Sequence, residues 1–378
     1  MRIGILTLPL ETNYGGNLQA FALQTVLRRM GHDVVTIDRH NRRRYPSLKS
    51  NILGFLNRNY KYYVKGELVS TQWNPFISNQ DYNIISSETQ KFINRNIKLT
   101  KSIWSDELDK IEEEYKFDVY IVGSDQVWLS KYCPASFLDF VTRDNVIKLF
   151  YAASCGKDSF FSNQDKLNVC KKLSKDFKGI SVREEKLVSL CQRHLNVEAK
   201  YVLDPTMLLT PQDYLSATIN MVPSNPIIFS YILDNSKEKD HIISYVQHKL
   251  SLDVINVNVE ESYVKGKNTD ITKCIYPSID DWLNNLNRSK FVITDSFHGT
   301  VFAILFNKPF ITIGNPKRGV ERFNSLLNKF GLERRLITLE NIRNLDELII
   351  ENDNFLIINS QIERFRKISI DFLIESLQ

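Results

Sequence analysis

The chain has 378 residues, 43% hydrophobic and 25% charged, with 49 Lys and Arg against 44 Asp and Glu for a net charge of +5. That is a globular composition with room for two ordinary cores, and its charge is too mild and too interleaved to point to nucleic acid. Cys133, Cys155, Cys170, Cys191 and Cys274 show no CxxC spacing and no histidine at ligand spacing, so neither a metal site nor a disulfide framework is expected, and no apolar run reaches the ~18 residues of a membrane span.

Residues 2–8 read as a strand directly from the N-terminus, too short for a signal peptide, so a cytoplasmic protein is expected. A glycine-containing loop over 9–17, a helix over 18–30 ended by Gly31 and a strand over 34–37 complete a βαβ unit, although Asn13-Tyr14-Gly15-Gly16-Asn17 does not fit GxGxxG. Segment 39–66, RHNRRRYPSLKSNILGFLNRNYKYYVKG, alternates basic with aromatic and aliphatic residues. It reads either as a solvated insertion or as an amphipathic stretch suited to an anionic membrane surface. An irregular or helical connection over 73–98 and a charged surface helix over 106–115 follow.

The apolar strand 117–122 runs straight into Gly123-Ser124-Asp125-Gln126, placing polar side chains at a strand's C-terminal end, where open α/β sheets bind ligands. Strand 148–153, helix 164–177, strand 179–182, helix 184–194 and strand 201–203 continue the alternation. Arg183 again sits at a strand end, and a salt bridge to Glu184 or Glu185 is its purely structural alternative. Residues 210–226, with three prolines, read as the linker. Beyond it, strands at 227–233, 254–257, 291–293 and 310–314 alternate with helices at 239–250, 279–287, 301–306 and 322–330. A basic loop holds Lys317 and Arg318, and an amphipathic helix at the end is expected to pack back on the first domain. The expected fold is α/β: Rossmann-like doubly wound domains over 1–210 and 226–355 facing across a cleft, with a helix over 360–378.

The stretch FVITDSFHGTVFAILFNKP, 291–309, is a strand, a polar turn and a helix. Asp295 or Ser296 as N-cap puts Phe297, His298 and Gly299 in the first helical turn, beside unpaired backbone N–H groups and the positive dipole end. A histidine there borders a natural anion site, and on spacing alone a structural cap histidine and a catalytic one fit equally.

NYGGNLQAFALQ, VGSDQVW, YAASCG, ISVREE, VLDPTMLL and TDSFHGTVFAILFNKPF follow one another in an order and at spacings that resemble the polysaccharide pyruvyl transferase family over nearly the whole chain. The resemblance implies a GT-B-like fold. It implies transfer of the pyruvyl group of phosphoenolpyruvate to two hydroxyls of a sugar in a bacterial capsule or exopolysaccharide precursor, forming a cyclic ketal and releasing phosphate without a cofactor. It also implies His298 as the catalytic residue and Arg183 as a grip on phosphoenolpyruvate. Many members carry an arginine two residues before the histidine where this chain has Ser296, so a second anion clamp is expected from Lys317, Arg318 or Arg322. Gly123-Ser124-Asp125-Gln126 likewise departs from a glycine-rich run. The helix dipole disfavours imidazolium, and Asp295 with a bound phosphate is expected to oppose it. Tyr14, Asn17, Ser124 and Asp125 are the acceptor-side candidates. A lipid-linked acceptor gives segment 39–66 a peripheral role at the inner membrane face. The alternatives are a GT-B glycosyltransferase taking a nucleotide sugar on the 317–322 loop, and a non-catalytic glycan- or anion-binding relative.

Overall fold

Short apolar runs bounded by polar turns form the strands β1 (Arg2–Leu6), β2 (Asp33–Thr36), β3 (Arg39–His40), β4 (Ile103–Trp104), β5 (Val119–Val122), β6 (Ile147–Ala153), β7 (Gly179–Val182) and β8 (Lys200–Tyr201). Six of them make a parallel sheet in the order β2-β1-β5-β6-β7-β8, while β3 and β4 pair separately. Helices cover both faces of such a sheet, which is why β5 and most of β6 are buried at every position instead of alternating. A second parallel sheet, in the order β10-β9-β11-β12-β13, is built from β9 (Ile227–Tyr231), β10 (Val254–Asn256), β11 (Ser289–Thr294), β12 (Phe310–Ile313) and β13 (Leu336–Ile337). The computed structural model describes all residues except 43–46, 157–162, 220–224, 268, 315–318, 340–344 and 351–352.

The two sheets share one continuous apolar cluster. Tyr14 stacks on Trp282 at 5.9 Å, Tyr214 meets Phe302 edge-on at 4.9 Å, and Arg95 bonds Asp280 at 2.7 Å across the junction. The last helix, Phe355–Leu377, returns to the first sheet: Phe372 approaches Tyr151, Ser369 Oγ accepts from the Leu203 amide at 2.9 Å, and Arg366 donates to the Met207 and Leu209 carbonyls.

Some boundaries differ from the sequence reading for local reasons. The first helix, Tyr14–Arg29, begins four residues early because the Asn13 side chain caps it by accepting from Gly16 N at 3.2 Å, so the two glycines lie inside its first turn. Segment 39–66 is a short strand and a helix, Leu48–Lys65, started by Ser47 and stopped by Gly66 at φ +66°. The proline-bearing linker contains the helix Pro211–Ser216, held by a reciprocal Thr210/Asp213 capping box.

Candidate active site

Strand ends of both sheets converge on one buried cluster. β11 stops at Thr294, whose hydroxyl donates to the Tyr231 carbonyl at 2.7 Å, and Ser296 caps the helix Phe297–Leu305 by accepting from Gly299 N at 3.4 Å. Asp295 is turned to its own domain: it pairs with Lys239 at 2.7 Å and accepts from the Leu233 and Asp234 amides. Asp295 is therefore committed to the domain scaffold, and the carboxylate within ion-pair reach of His298 is Asp204 instead.

His298 occupies the first turn of its helix and lies against the first turn of the helix Tyr14–Arg29. A Cβ on Gly15 would fall 2.1 Å from His298 Nδ1, so only bare backbone leaves room for the ring. Neither helix has an acidic residue in its first turn, so two positive dipole ends meet here. His298 is 6% exposed, and its Nε2 stands 3.7 Å from Asp204 Oδ2, beyond hydrogen-bond length, with no hydrogen-bond partner among the described residues.

Asp204 follows β8 in the Asp-Pro turn. Its Oδ1 accepts from the Thr206 amide and hydroxyl at 3.0 and 2.7 Å, and its Oδ2 lies 2.9 Å from Arg183 and 3.2 Å from the Ser124 hydroxyl. Burial pushes its carboxyl up, but His298, Arg183 and Thr206 together outweigh burial and hold it well below the usual carboxylate range. Asp204 is therefore a fixed negative charge facing the imidazole.

Arg183, at the end of β7, reaches Asp204 at 2.9 Å, Glu184 at 3.3 Å and Asp125 at 3.4 Å, and lies over the Phe297 ring at 4.2 Å. Its burial opposes the charge, and the three carboxylates more than restore it. Glu184 has the opposite balance: burial pushes its carboxyl up, and Arg183 and the Ser154 hydroxyl, 2.9 Å away, only partly offset this. Glu184 Oε2 has no hydrogen-bond partner among the described residues. The cluster thus gathers three carboxylates around one guanidinium, with the charged form favoured at Asp204 and disfavoured by burial at Glu184.

Structure brings together His298, Arg183, Ser124, Asp125 and Arg322. Gln19 Oε1 accepts from the Ser124 amide at 2.8 Å while its Nε2 donates to Thr7 and Gly16, tying β1, the first helix and the β5 end together. Arg322 lies 5.8 Å from the Phe297 ring and 5.3 Å from that of Phe323, so two guanidiniums flank the residue before the histidine. Tyr14, 1% exposed, is placed in the interdomain core with its hydroxyl donating to the Pro277 carbonyl at 2.8 Å. Asn17 donates to the Glu11 carbonyl at 2.7 Å, and its Oδ1 is buried. Lys317 and Arg318 lie outside the described residues. Sequence reasoning missed Asp204, Glu184 and Gly15; the strand-end rule that found Arg183 applies equally to Asp204, one strand later.

The family model described as polysaccharide pyruvyl transferase matches residues 13–318, a span that contains Gly15, Ser124, Arg183, Asp204 and His298. The chain belongs to the polysaccharide pyruvyl transferase family. A search of curated proteins returns no match to this chain. Among solved structures it is similar to UDP-GlcNAc 2-epimerase from Neisseria meningitidis bound to UDP-GlcNAc, at 12% identity and TM-score 0.51, covering 100% of this chain and 99% of the other. It is also similar to the S. aureus MnaA–UDP co-structure, at 13% identity and TM-score 0.51, covering 96% and 91%. At such identity the likeness is one of fold: the chain has two GT-B-like Rossmann domains with its buried cluster at their junction.

Proposed function

We propose that this pyruvyl transferase takes phosphoenolpyruvate as donor and forms a cyclic ketal on two hydroxyls of a lipid-linked sugar, releasing phosphate. The observation that carries this reading is the buried His298, its Nε2 unpartnered among the described residues and facing an ionised Asp204 at the domain junction. The imidazole facing that carboxylate is the group to protonate the donor's methylene carbon and leave a cationic centre at C2. One acceptor hydroxyl adds to C2, the C2–O bond to phosphate breaks, and the second hydroxyl closes the ring. Of the two hydroxyl protons, one replaces the proton given to the methyl group and the other leaves with phosphate or solvent. Asp125 is the base at hand for those hydroxyls. The donor's carboxylate and phosphate need cations, for which the candidates are Arg322, Lys317, Arg318 and the two N–H groups of Arg183 not engaged with carboxylates.

His298→Gln is expected to abolish phosphate release and ketal formation, followed by mass spectrometry of candidate sugar acceptors, while the melting temperature stays within a few degrees. Retained turnover removes His298 from the mechanism, and a requirement for a nucleotide sugar replaces pyruvyl with glycosyl transfer.

A lipid-linked acceptor is supported by the helix Leu48–Lys65, none of whose residues is buried. Its inner side is the anchored one: Phe55 packs on Trp73 and Arg58 donates to the Ser70 and Gln72 carbonyls. The outward side carries Ile52, Leu53, Leu56, Tyr60, Tyr63 and Val64, all exposed, and residues 39–66 contain no Asp or Glu. Among the described residues no helix is long and apolar enough to cross a membrane. An outward apolar face on a wholly basic segment suits the interface of an anionic bilayer. Co-sedimentation with phosphatidylglycerol vesicles is expected to fall at least tenfold in Leu53→Ser/Leu56→Ser, and equal sedimentation of both proteins contradicts this role.

A further inference from the structure

The first domain also holds a groove of about 830 Å³ that the reaction cluster does not use. One wall is formed by the successive helices Asn79–Ile85 and Ser87–Asn96, the other by the β3–β4 pair. Along the helical wall, Asn79 and Asn83 on the first helix and Gln90 and Asn94 on the second line the groove four residues apart, one face of each, with Ser86 at the junction. Across from them stands Trp104, its ring 5.1 Å from the Arg42 guanidinium.

We infer that this groove binds a neutral saccharide, holding the sugar units of the acceptor that lie beyond the one modified. The inference rests on the proposed transfer for its biological ligand, and on the groove's own chemistry for its class. A sugar hydroxyl both donates and accepts, and a carboxamide offers both functions side by side. The side chains of Asn79, Asn83 and Asn94 have no hydrogen-bond partner among the described residues, so these amides are open to a ligand. Both lysines of the lining are paired, Lys101 with Glu114 at 2.6 Å and Lys110 with Glu107 at 2.9 Å, and His40 Nε2 lies 3.1 Å from Asp38. An ionic ligand would have to compete with those pairs, whereas a neutral ring needs only amides and an aromatic surface. The volume lies toward the upper end of the ~300–1,000 Å³ typical of ligand pockets, in keeping with more than one ring.

The groove is coupled by the backbone to the reaction cluster. Glu11 lines it, Gln90 donates to the Leu10 carbonyl at 3.2 Å, and Asn17 donates to the Glu11 carbonyl at 2.7 Å. Four residues beyond Glu11, Gly15 lies against His298.

Two variants test the assignment, Trp104→Ala and Asn83→Ala/Asn94→Ala, each first checked for an unchanged melting temperature. The probes are neutral gluco-, galacto- and manno-oligosaccharides of four to six units, followed by saturation-transfer NMR, and transfer assays comparing a monosaccharide glycoside with its longer oligosaccharide. At least one oligosaccharide series is expected to bind the unmodified protein, with affinity falling at least tenfold in both variants. The KM for the long acceptor is expected to rise at least tenfold while turnover of the monosaccharide glycoside is unchanged. Absence of oligosaccharide binding, or equal binding by the variants, overturns the groove. If no acceptor is pyruvylated but oligosaccharide binding is lost in the variants, the proposed reaction fails and the groove stands. Normal transfer to the long acceptor by both variants overturns the groove alone.

Discussion

Gly15→Ala isolates the contact between the two helix starts. The residue is inside a regular helix, where replacing glycine by alanine ordinarily stabilises by about 0.5–1 kcal/mol. Here the new methyl would lie 2.1 Å from His298 Nδ1 and 2.2 Å from its Cγ, against 3.4 Å at the near edge of ordinary van der Waals contact. Relief requires 3.4 − 2.1 = 1.3 Å of movement, and the adjacent helix of His298 is pinned by Ser296 and by Thr300 bonded to Thr312. The imidazole is the part that moves. A displacement of this size costs about 10²-fold in rate when the group handles a proton in the transition state. Urea denaturation should give a stability within ~1 kcal/mol of the unmodified protein, while kcat for pyruvyl transfer falls about 100-fold and the His298 ring resonances shift. Full activity together with unchanged His298 resonances would refute the claim that bare backbone at Gly15 sets the position of the imidazole.

Asp204→Asn should lower kcat by roughly 10² or more by removing the charge that faces the imidazole. Because the folded Asp204 binds its proton more weakly than the unfolded chain, its stabilisation is present above the ordinary carboxylate value of 3.8 and is lost as the pH falls below it. The variant should show a shallower loss of stability in acid-range denaturation, and an identical acid profile would count against the cluster. Lys329 gives the converse case: its Nζ is buried over Tyr201 and Phe365, and burial pushes its ammonium down to about 8 from 10.5. The unfolded chain then holds more protons between these values, so stability should rise with pH from about 8 to 10.5. Lys329→Met should remove that slope and stabilise the fold at pH 7 by up to about 3 kcal/mol; a destabilised variant would show that the cation–ring contacts outweigh burial.

The alternation of apolar runs and helical periods made both sheets legible, since buried parallel strands leave an unbroken apolar signature. Strand-end polarity found Ser124, Asp125 and Arg183 for the same reason. Asp204 escaped because β8 is only two residues long and Asp-Pro reads as turn punctuation. No local signal reveals why residue 15 is glycine, because the side chain that forbids a Cβ lies 298 − 15 = 283 positions away. Tyr14 and Ser296 show the converse: sequence proximity to a ligand-binding pattern does not separate a domain-joining aromatic or a helix cap from a contact with substrate. The outward apolar side of Leu48–Lys65 was readable as amphipathic, but which side is anchored depends on Trp73 and the 70–72 backbone, and so on tertiary packing.

The returning helix Phe355–Leu377 has a consequence for how the protein is made. Phe372, Leu373 and Leu377 belong to the apolar cluster that β6 and the Val202–Leu203 segment also enter, yet they are translated up to 377 − 201 = 176 residues after β8. At ~5–20 residues per second the first domain waits roughly 10–35 s with that part of its core open to solvent. That apolar surface stays uncovered until the ribosome has delivered the helix that closes it.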